Sequence, residues 1–375
     1  MKRLLRVLLV LLAVAAVLAA AGWATFQLPT FGGKPDSALR ERMRASKQFH
    51  GDRFQNTPPY VSNLSLADTI KAYAGKEVRE PPFEVPVEPV AGSDLKRPVP
   101  PGLRARWLGH ASVLLEIDGV RVMTDPVLSR RVSPFQFIGP ARLHATPLAI
   151  GALQNVDAVV ISHDHFDHLD MDTVQALARG GTRFFVGLGI GAHLLRWGVP
   201  AAQVQDMDWW DSATIGGVTI HCLPARHYSG RKSMDNSTLW SSWMIKGPRN
   251  SVYFSGDTGY AGHFKEIREK LGAPDLSMLK IGAYDETWKD IHMTPESAVR
   301  AHMELGAKTL LPVHWATFNL AYHAWDEPIV RTLAAAKAAG AQVVTPKPGQ
   351  LFDTAARFTN QAWYLLPSAA PEPRK

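Results

Sequence analysis

The stretch DAVVISHDHFDH, residues 157–168, decides how this chain is read. Ala158 to Ile161 is a short apolar run with the length and β-branched content of a buried strand. It ends on a segment dense in imidazole and carboxylate. Side chains of an extended segment alternate in direction, so His163 and His165 point the same way, while a turn at Phe166 lets Asp167 and His168 reach a second point close by. One strand-end loop can therefore feed two metal ions. The single cysteine, Cys222, excludes an intrachain disulfide and a thiolate zinc site, so any metal is held by histidine and carboxylate.

A catalytic zinc takes about three protein ligands plus water, so later loops have to supply more of them. His227 lies just past a strand expected to end at Leu223. Asp257 follows a strand at 251–255, and His314 follows one at 309–313. The placement groups His163, His165 and His227 on one ion and Asp167, His168 and His314 on the other, with Asp257 bridging. Nitrogen and oxygen donors suit two Zn2+, and iron or manganese would also fit. Two such ions about 3.5–4 Å apart would lower the pKa of a shared water toward ~7, which gives a metal-bound hydroxide as nucleophile. His110 and Asp125 are candidates to hydrogen-bond the far sides of the ligand imidazoles.

Working outward, hairpin strands are expected from Arg104 to Thr124 around a turn at Asp118-Gly119. Others are expected at 182–186, 214–223, 239–245, 251–255, 276–281 and 309–313. Helices are expected at 171–179, with Asp170 as N-cap, and near 261–271, 295–305 and 327–339. Strands grouped in hairpins that then alternate with helices, twice over, predict two mixed sheets facing each other with helices outside, a four-layer αββα sandwich. The catalytic domain is placed at 102–355, with a C-terminal tail at 356–375. Residues 31–101, rich in proline and charge, read as a stalk or a wrapping arm.

The N-terminus is basic and then wholly apolar from Val7 to Ala21. Residues 1–30 are either a cleaved signal peptide, since Gly22 and Ala24 are small, or a membrane anchor, which the length of the uncharged run favours. Basic residues flank both ends, so orientation stays open. The net charge of +7 fits anionic lipid head groups or nucleic acid. With an apolar terminal segment present, lipid is the more economical partner, and the cell envelope or periplasmic side is the expected location.

Several longer stretches narrow the reading further. WLGHAS (107–112), TDP (124–126), DWW (208–210), LWSSW (239–243), GDTGY (256–260), IGAY (281–284) and HWATF (314–318), together with the metal motif, resemble the metallo-β-lactamase superfamily. Within it they are similar to the N-acyl-phosphatidylethanolamine-hydrolysing phospholipase D family, over about Trp107 to Phe318. The resemblance implies a metallo-β-lactamase sandwich and zinc-dependent cleavage of a phosphodiester in an N-acylated phospholipid at a membrane surface. It implies the seven ligands named above, catalytic roles for Asp167, Asp257 and His292, and substrate contacts from His292 and Phe166. Phe166 stands where relatives often carry tyrosine. Asp285-Glu286-Thr287-Trp288 replaces a stretch that in relatives carries Pro-Arg, which removes a cation from the head-group side.

Other readings stay open at this level. A lactonase or other ester or amide hydrolase would use the same ions on a carbonyl. A membrane-tethered metal-binding envelope protein would keep the ligands with little catalysis. A nucleic-acid phosphodiesterase is disfavoured by the export or anchor segment, so no nucleic-acid partner is expected. Oligomeric state is open, a homodimer included.

Overall fold

A computed structural model of the chain describes residues 2–60 and 77–365. The apolar N-terminus is one exposed helix, α1 (Lys2–Thr25), whose segment from Leu5 is long and apolar enough to cross a bilayer. A second helix, α2 (Ser37–Ala45), and a two-stranded hairpin, β1 (Phe49–His50) with β2 (Arg53–Phe54), follow within the segment that showed no periodicity in sequence. Asp36 caps α2 by accepting from Leu39 N at 2.8 Å.

Two larger sheets carry the fold. The first is built from β3 (Leu103–Gly109), β4 (Ser112–Ile117), β5 (Val120–Thr124), β6 (Ala158–Ile161), β7 (Arg183–Gly187) and β8 (Val204–Met207). The second contains β9 (Ser212–Ile215), β10 (Val218–Leu223), β11 (Ser242–Lys246), β12 (Ser251–Phe254), β13 (Leu276–Lys280) and β14 (Thr309–Val313). A last strand, β15 (Leu351–Asp353), joins the first sheet, which runs β15-β3-β4-β5-β6-β7-β8; the second runs β14-β13-β12-β11-β10-β9. Each begins as antiparallel hairpins and turns parallel, at β5 to β6 and at β12 to β13. Asp118 and Gly119 both take positive φ, as do Gly216 and Gly217, the backbone a two-residue hairpin turn requires.

Alternation sorts the side chains. Val113, Leu115 and Ile117 of β4 enter the core between the sheets, with Ile220, Cys222, Trp243 and Phe254 from the facing sheet. Leu114 points the other way, into an outer layer with Met123, Val159 and Phe184. That layer is closed by α3 (Met171–Arg179), through Val174 and Leu177, and by α4 (Gly191–Arg196). The opposite layer is made by α5 (His263–Leu271), α6 (Pro295–Leu305) and α7 (Glu327–Ala339). The molecule is thus a four-layer αββα sandwich, preceded by an apolar helix. Parallel strands leave their C-terminal ends on one rim, which is where the histidine-bearing loops emerge.

Two details depart from the sequence reading. Asp170 occupies the N-cap position of α3 but does not cap its backbone; its carboxylate accepts from Leu128 N, Ser129 N, Ser129 Oγ and Thr173 Oγ1, fixing a neighbouring loop instead. The boundary expected at 355 is too early, because Trp363 and Tyr364 are buried and Trp363 stacks on Trp315 with centroids 5.1 Å apart. Residues 366–375 of that expected tail, and 61–76 of the expected stalk or arm, lie outside the described residues. The described remainder of that segment lies on the domain: Val85, Val90 and Leu95 are buried, and Glu88 N and Val90 N donate to Pro348 O and Pro147 O.

Candidate metal centre

The loop after β6 begins at Ser162, whose backbone N–H and hydroxyl both donate to the Asp125 carboxylate at 2.6 and 2.5 Å. That clamp fixes where His163 starts. His163 Nε2 lies 2.8 Å from His165 Nδ1, and His227 Nε2 lies 3.3 Å from the same nitrogen. Three imidazole nitrogens therefore share one point. The remaining nitrogens of two rings face polar partners: His163 Nδ1 meets Ser162 Oγ at 2.9 Å, and His227 Nδ1 donates to Ile291 O at 3.2 Å. This is the arrangement in which the converging nitrogens carry lone pairs.

Beside this triad stands a second cluster. His314 Nε2 is 3.1 Å from Asp257 Oδ1 and 3.5 Å from Asp167 Oδ2; His168 Nε2 is 3.5 and 3.4 Å from the same two carboxylate oxygens. His168 Nε2, His314 Nε2 and Asp257 Oδ1 are buried and have no hydrogen-bond partner. Buried polar atoms without partners are costly, and three facing one another need a shared electrophile. A cation fits that need: the donors are all nitrogen or oxygen, His168 and His314 stand with Asp167 close enough to share an ion, Asp257 Oδ1 is within 3.5 Å of both histidines, and the two carboxylates supply compensating charge. Asp257 reaches both clusters, since its Oδ2 is 3.9 Å from His227 Nε2. All seven residues expected as ligands thus converge on two adjoining points.

Electrostatics follow from this crowding. Burial alone would raise the carboxyls of Asp167 and Asp257, but neighbouring imidazoles, His168 and His314 foremost, hold both well below the usual carboxylate range. Burial would lower His168, yet Asp257 and Asp167 together lift it well above an ordinary imidazole. His163 and His227 lie well below that value because burial dominates.

Of the two candidates for far-side bonds, Asp125 reaches an imidazole, whereas His110 meets a carboxylate instead. Asp125 Oδ2 accepts from His168 Nδ1 at 2.6 Å, and His110 Nε2 meets Asp167 Oδ2 at 3.0 Å. His110, Asp125, Ala283, His314 and Ala316 all have positive φ, a strained backbone that for non-glycine residues gathers where structure is spent on positioning. Gly256, at φ +53°, precedes Asp257, and a Cβ there would stand 2.3 Å from Ser162 Cβ.

His292 donates from Nδ1 to Ala283 O at 2.6 Å and turns Nε2 toward Asp257 Oδ2 at 3.6 Å. Burial and the charge of Lys280 hold it well below the ordinary value. Lys280 is the residue sequence reasoning missed. It ends β13 fully buried, donating to Gly282 O, and burial brings its ammonium down to about 8. In sequence it was hidden inside an apolar run, Leu276 to Ile281. Tyr228 was also missed; its ring lies 4.5 Å from that of His165.

Phe166, the expected substrate contact, is half-buried and already engaged. The Arg231 guanidinium lies 3.9 Å from its centroid and the Phe31 ring 6.1 Å away. Arg231 in turn donates to Asp164 O, Leu169 O and Thr30 O, tying the metal loop to the N-terminal arm.

Comparison with known proteins gives the chain its relatives. Residues 120–315 match the model of the beta-lactamase superfamily domain. The chain is 43% identical, over 361 residues, to an uncharacterized protein of Mycobacterium tuberculosis, covering 94% of this chain and 97% of that one. It is 39% identical to N-acyl-phosphatidylethanolamine-hydrolyzing phospholipase D 1 of Caenorhabditis elegans over 232 residues, 58% of this chain and 65% of that protein. Among solved structures, Igni18, a metallo hydrolase of the archaeon Ignicoccus hospitalis, shares the fold, with a TM-score of 0.54 at 24% identity over 68% of this chain and 99% of its own.

Proposed function

The chain belongs to the metallo-β-lactamase superfamily and is a metal-dependent hydrolase of that fold, and from this we propose that it is a dinuclear zinc phosphodiesterase cleaving N-acylated phospholipid, phospholipase D fashion, at a membrane surface. The observation that carries the metal chemistry is the trio of buried, partnerless atoms on His168, His314 and Asp257 beside the converging nitrogens of His163, His165 and His227. The similarity to the nematode phospholipase D and the apolar helix α1 support the lipid substrate.

When bound, the two ions supply positive charge that polarises a phosphoryl oxygen and acidifies water toward neutral pH. The chain's own groups do the rest. Asp167, held ionised, accepts a hydrogen bond from the attacking water and orients it. The water oxygen bonds to phosphorus, the bond from phosphorus to the N-acylethanolamine oxygen breaks, and that oxygen gains the proton the water loses. His292 is unprotonated at rest with Nδ1–H fixed on Ala283 O, so Nε2 is the atom that takes up and returns this proton. The products are a phosphatidic acid and an N-acylethanolamine. Lys280 is fully buried beside the site, and its charge bears on His292 and Asp257 from behind.

The test is a substrate panel on full-length protein in lipid nanodiscs: an N-acyl-phosphatidylethanolamine, a bis-aryl phosphodiester and a homoserine lactone. Release of N-acylethanolamine supports the reading. Turnover of the lactone alone rejects it.

A further inference from the structure

The segment just after α1, Gln27 to Gly33, is held on the catalytic domain by four side chains. Arg196 and Trp197 donate to Gln27 O and Pro29 O, Arg231 donates to Thr30 O at 2.8 Å, and His193 Nδ1 accepts from Gly33 N at 3.0 Å. No free linker separates helix from domain, so wherever α1 sits in a bilayer, the rim bearing the metal loop is held at a set distance from it. Trp23, Phe26 and Leu28 are exposed at this junction.

A continuous line of aromatic rings leaves the junction. Phe26 meets Phe31 with centroids 5.2 Å apart, Phe31 meets Phe135 at 6.4 Å, and Phe135 stacks with Phe137 at 5.3 Å. Phe31 also meets Phe166 of the metal loop. The line ends in the loop from Ser133 to Gly139, whose tip exposes Phe137 by 80% and Ile138 by 59%. Several of the loop's polar atoms pair with one another. Arg131 Nη1 donates to Gly139 O, Arg131 N donates to Gln136 Oε1, Gln136 Nε2 returns a bond to Arg131 O, and Phe135 N donates to Ser133 Oγ. A loop that pairs several of its own polar groups while presenting two large adjacent apolar side chains is suited to meet an apolar phase. Arg130 and Arg131 adjoin it, and Lys34, Arg40 and Arg44 follow the junction, cations suited to anionic head groups.

We propose that the Ser133–Gly139 loop is a second membrane contact: Phe137 and Ile138 insert into the interfacial layer of the leaflet that α1 enters, which seats the metal centre against the lipid surface. The inference rests on reading α1 as the anchor. It makes the junction and the loop tip two points of one interfacial footprint, with Phe166 between them and the metals.

Cys222 is the sole cysteine and is buried, so a single introduced cysteine takes a fluorophore specifically. Full-length Ile138→Cys, Trp23→Cys and Lys308→Cys proteins are labelled with a nitrobenzoxadiazole and reconstituted into phosphatidylethanolamine/phosphatidylglycerol vesicles. Lys308, at the start of β14, sits at the sheet end away from His314. Lipids carrying a shallow doxyl group should quench the position-138 probe at least about two-fold more than the position-308 probe, because interfacial side chains sit only ~5–10 Å deep. Aqueous iodide should do the reverse. If positions 138 and 308 respond alike while position 23 senses lipid, the second contact is overturned and the anchor stands. If position 23 also senses only water, both fall. A position-138 signal that changes with protein concentration and not with lipid assigns the loop to self-association and likewise overturns the proposal. Turnover of a water-soluble phosphodiester in the same preparations reports the hydrolase reading separately, and Phe137→Ser with Ile138→Ser should leave it unchanged while slowing hydrolysis of bilayer substrate.

Discussion

His168 donates from Nδ1 to Asp125 Oδ2 at 2.6 Å, with both side chains fully excluded from solvent. The bond aims Nε2 at the space shared with Asp257 and His314, where it would offer its lone pair to a bound cation in place of a proton. Asp125 belongs to the TDP stretch at the end of β5, while His168 comes from the loop after β6, so one parallel strand pair supplies both the candidate ligand and the group that orients it.

Asp125→Asn removes the carboxylate that holds the His168 tautomer and the Ser162 clamp. Metal affinity should fall about 10–100-fold, the usual effect of losing such a partner. Competition with a chromophoric chelator measures it, and an unchanged affinity would show that Asp125 only holds the strands together.

Lys280 gives a stability prediction with a defined pH window. Its folded value, about 8, lies below the ordinary 10.5, so folding disfavours its charged form. Both states are protonated below pH 8, where the cost is fully present; above 10.5 both are neutral and the cost vanishes. Lys280→Met should therefore stabilise the protein at pH 7 by about 1–3 kcal/mol, with the gain fading between pH 8 and 10.5. Thermal unfolding across that range reads it, and the same variant should lose phosphodiesterase activity.

The convergence of the candidate ligands was legible in sequence because histidine and carboxylate placed at successive strand ends of a sandwich share one rim. His163, His165, His227 and His314 needed only an extended segment and a loop to be placed. Helices 171–179, 295–305 and 327–339 were legible through the period of their apolar faces. What was not legible depends on long-range neighbours. Lys280 looks like an interruption in a strand until its surroundings are known, and Asp170 has every local mark of an N-cap until the loop at Leu128–Ser129 claims its oxygens. β15 and the packing of Trp363 on Trp315 join segments far apart in the chain, and no local period announces them.

Gly256→Ala forces a side chain into a left-handed backbone and against Ser162. A loss of about 1–3 kcal/mol is expected, with Asp257 displaced. Chelator competition should show weakened metal retention out of proportion to the fall in melting temperature; a loss of stability with metal retention intact would put the glycine's role in folding alone.

Arg231→Ala leaves Asp164 O, Leu169 O and Thr30 O without their donor and uncovers Phe166. Roughly 3 kcal/mol of stability should be lost. Limited proteolysis should then cut between α1 and α2, and an uncut junction would mean that Arg196, Trp197 and His193 suffice to hold it.

Seven side chains from four loops carry the whole argument, and elemental analysis of full-length protein purified without chelators tests them together. About two equivalents of transition metal per chain, chiefly zinc, are expected, falling to about one or less in His314→Ala. Under one equivalent in active, well-folded wild-type protein would contradict the assignment.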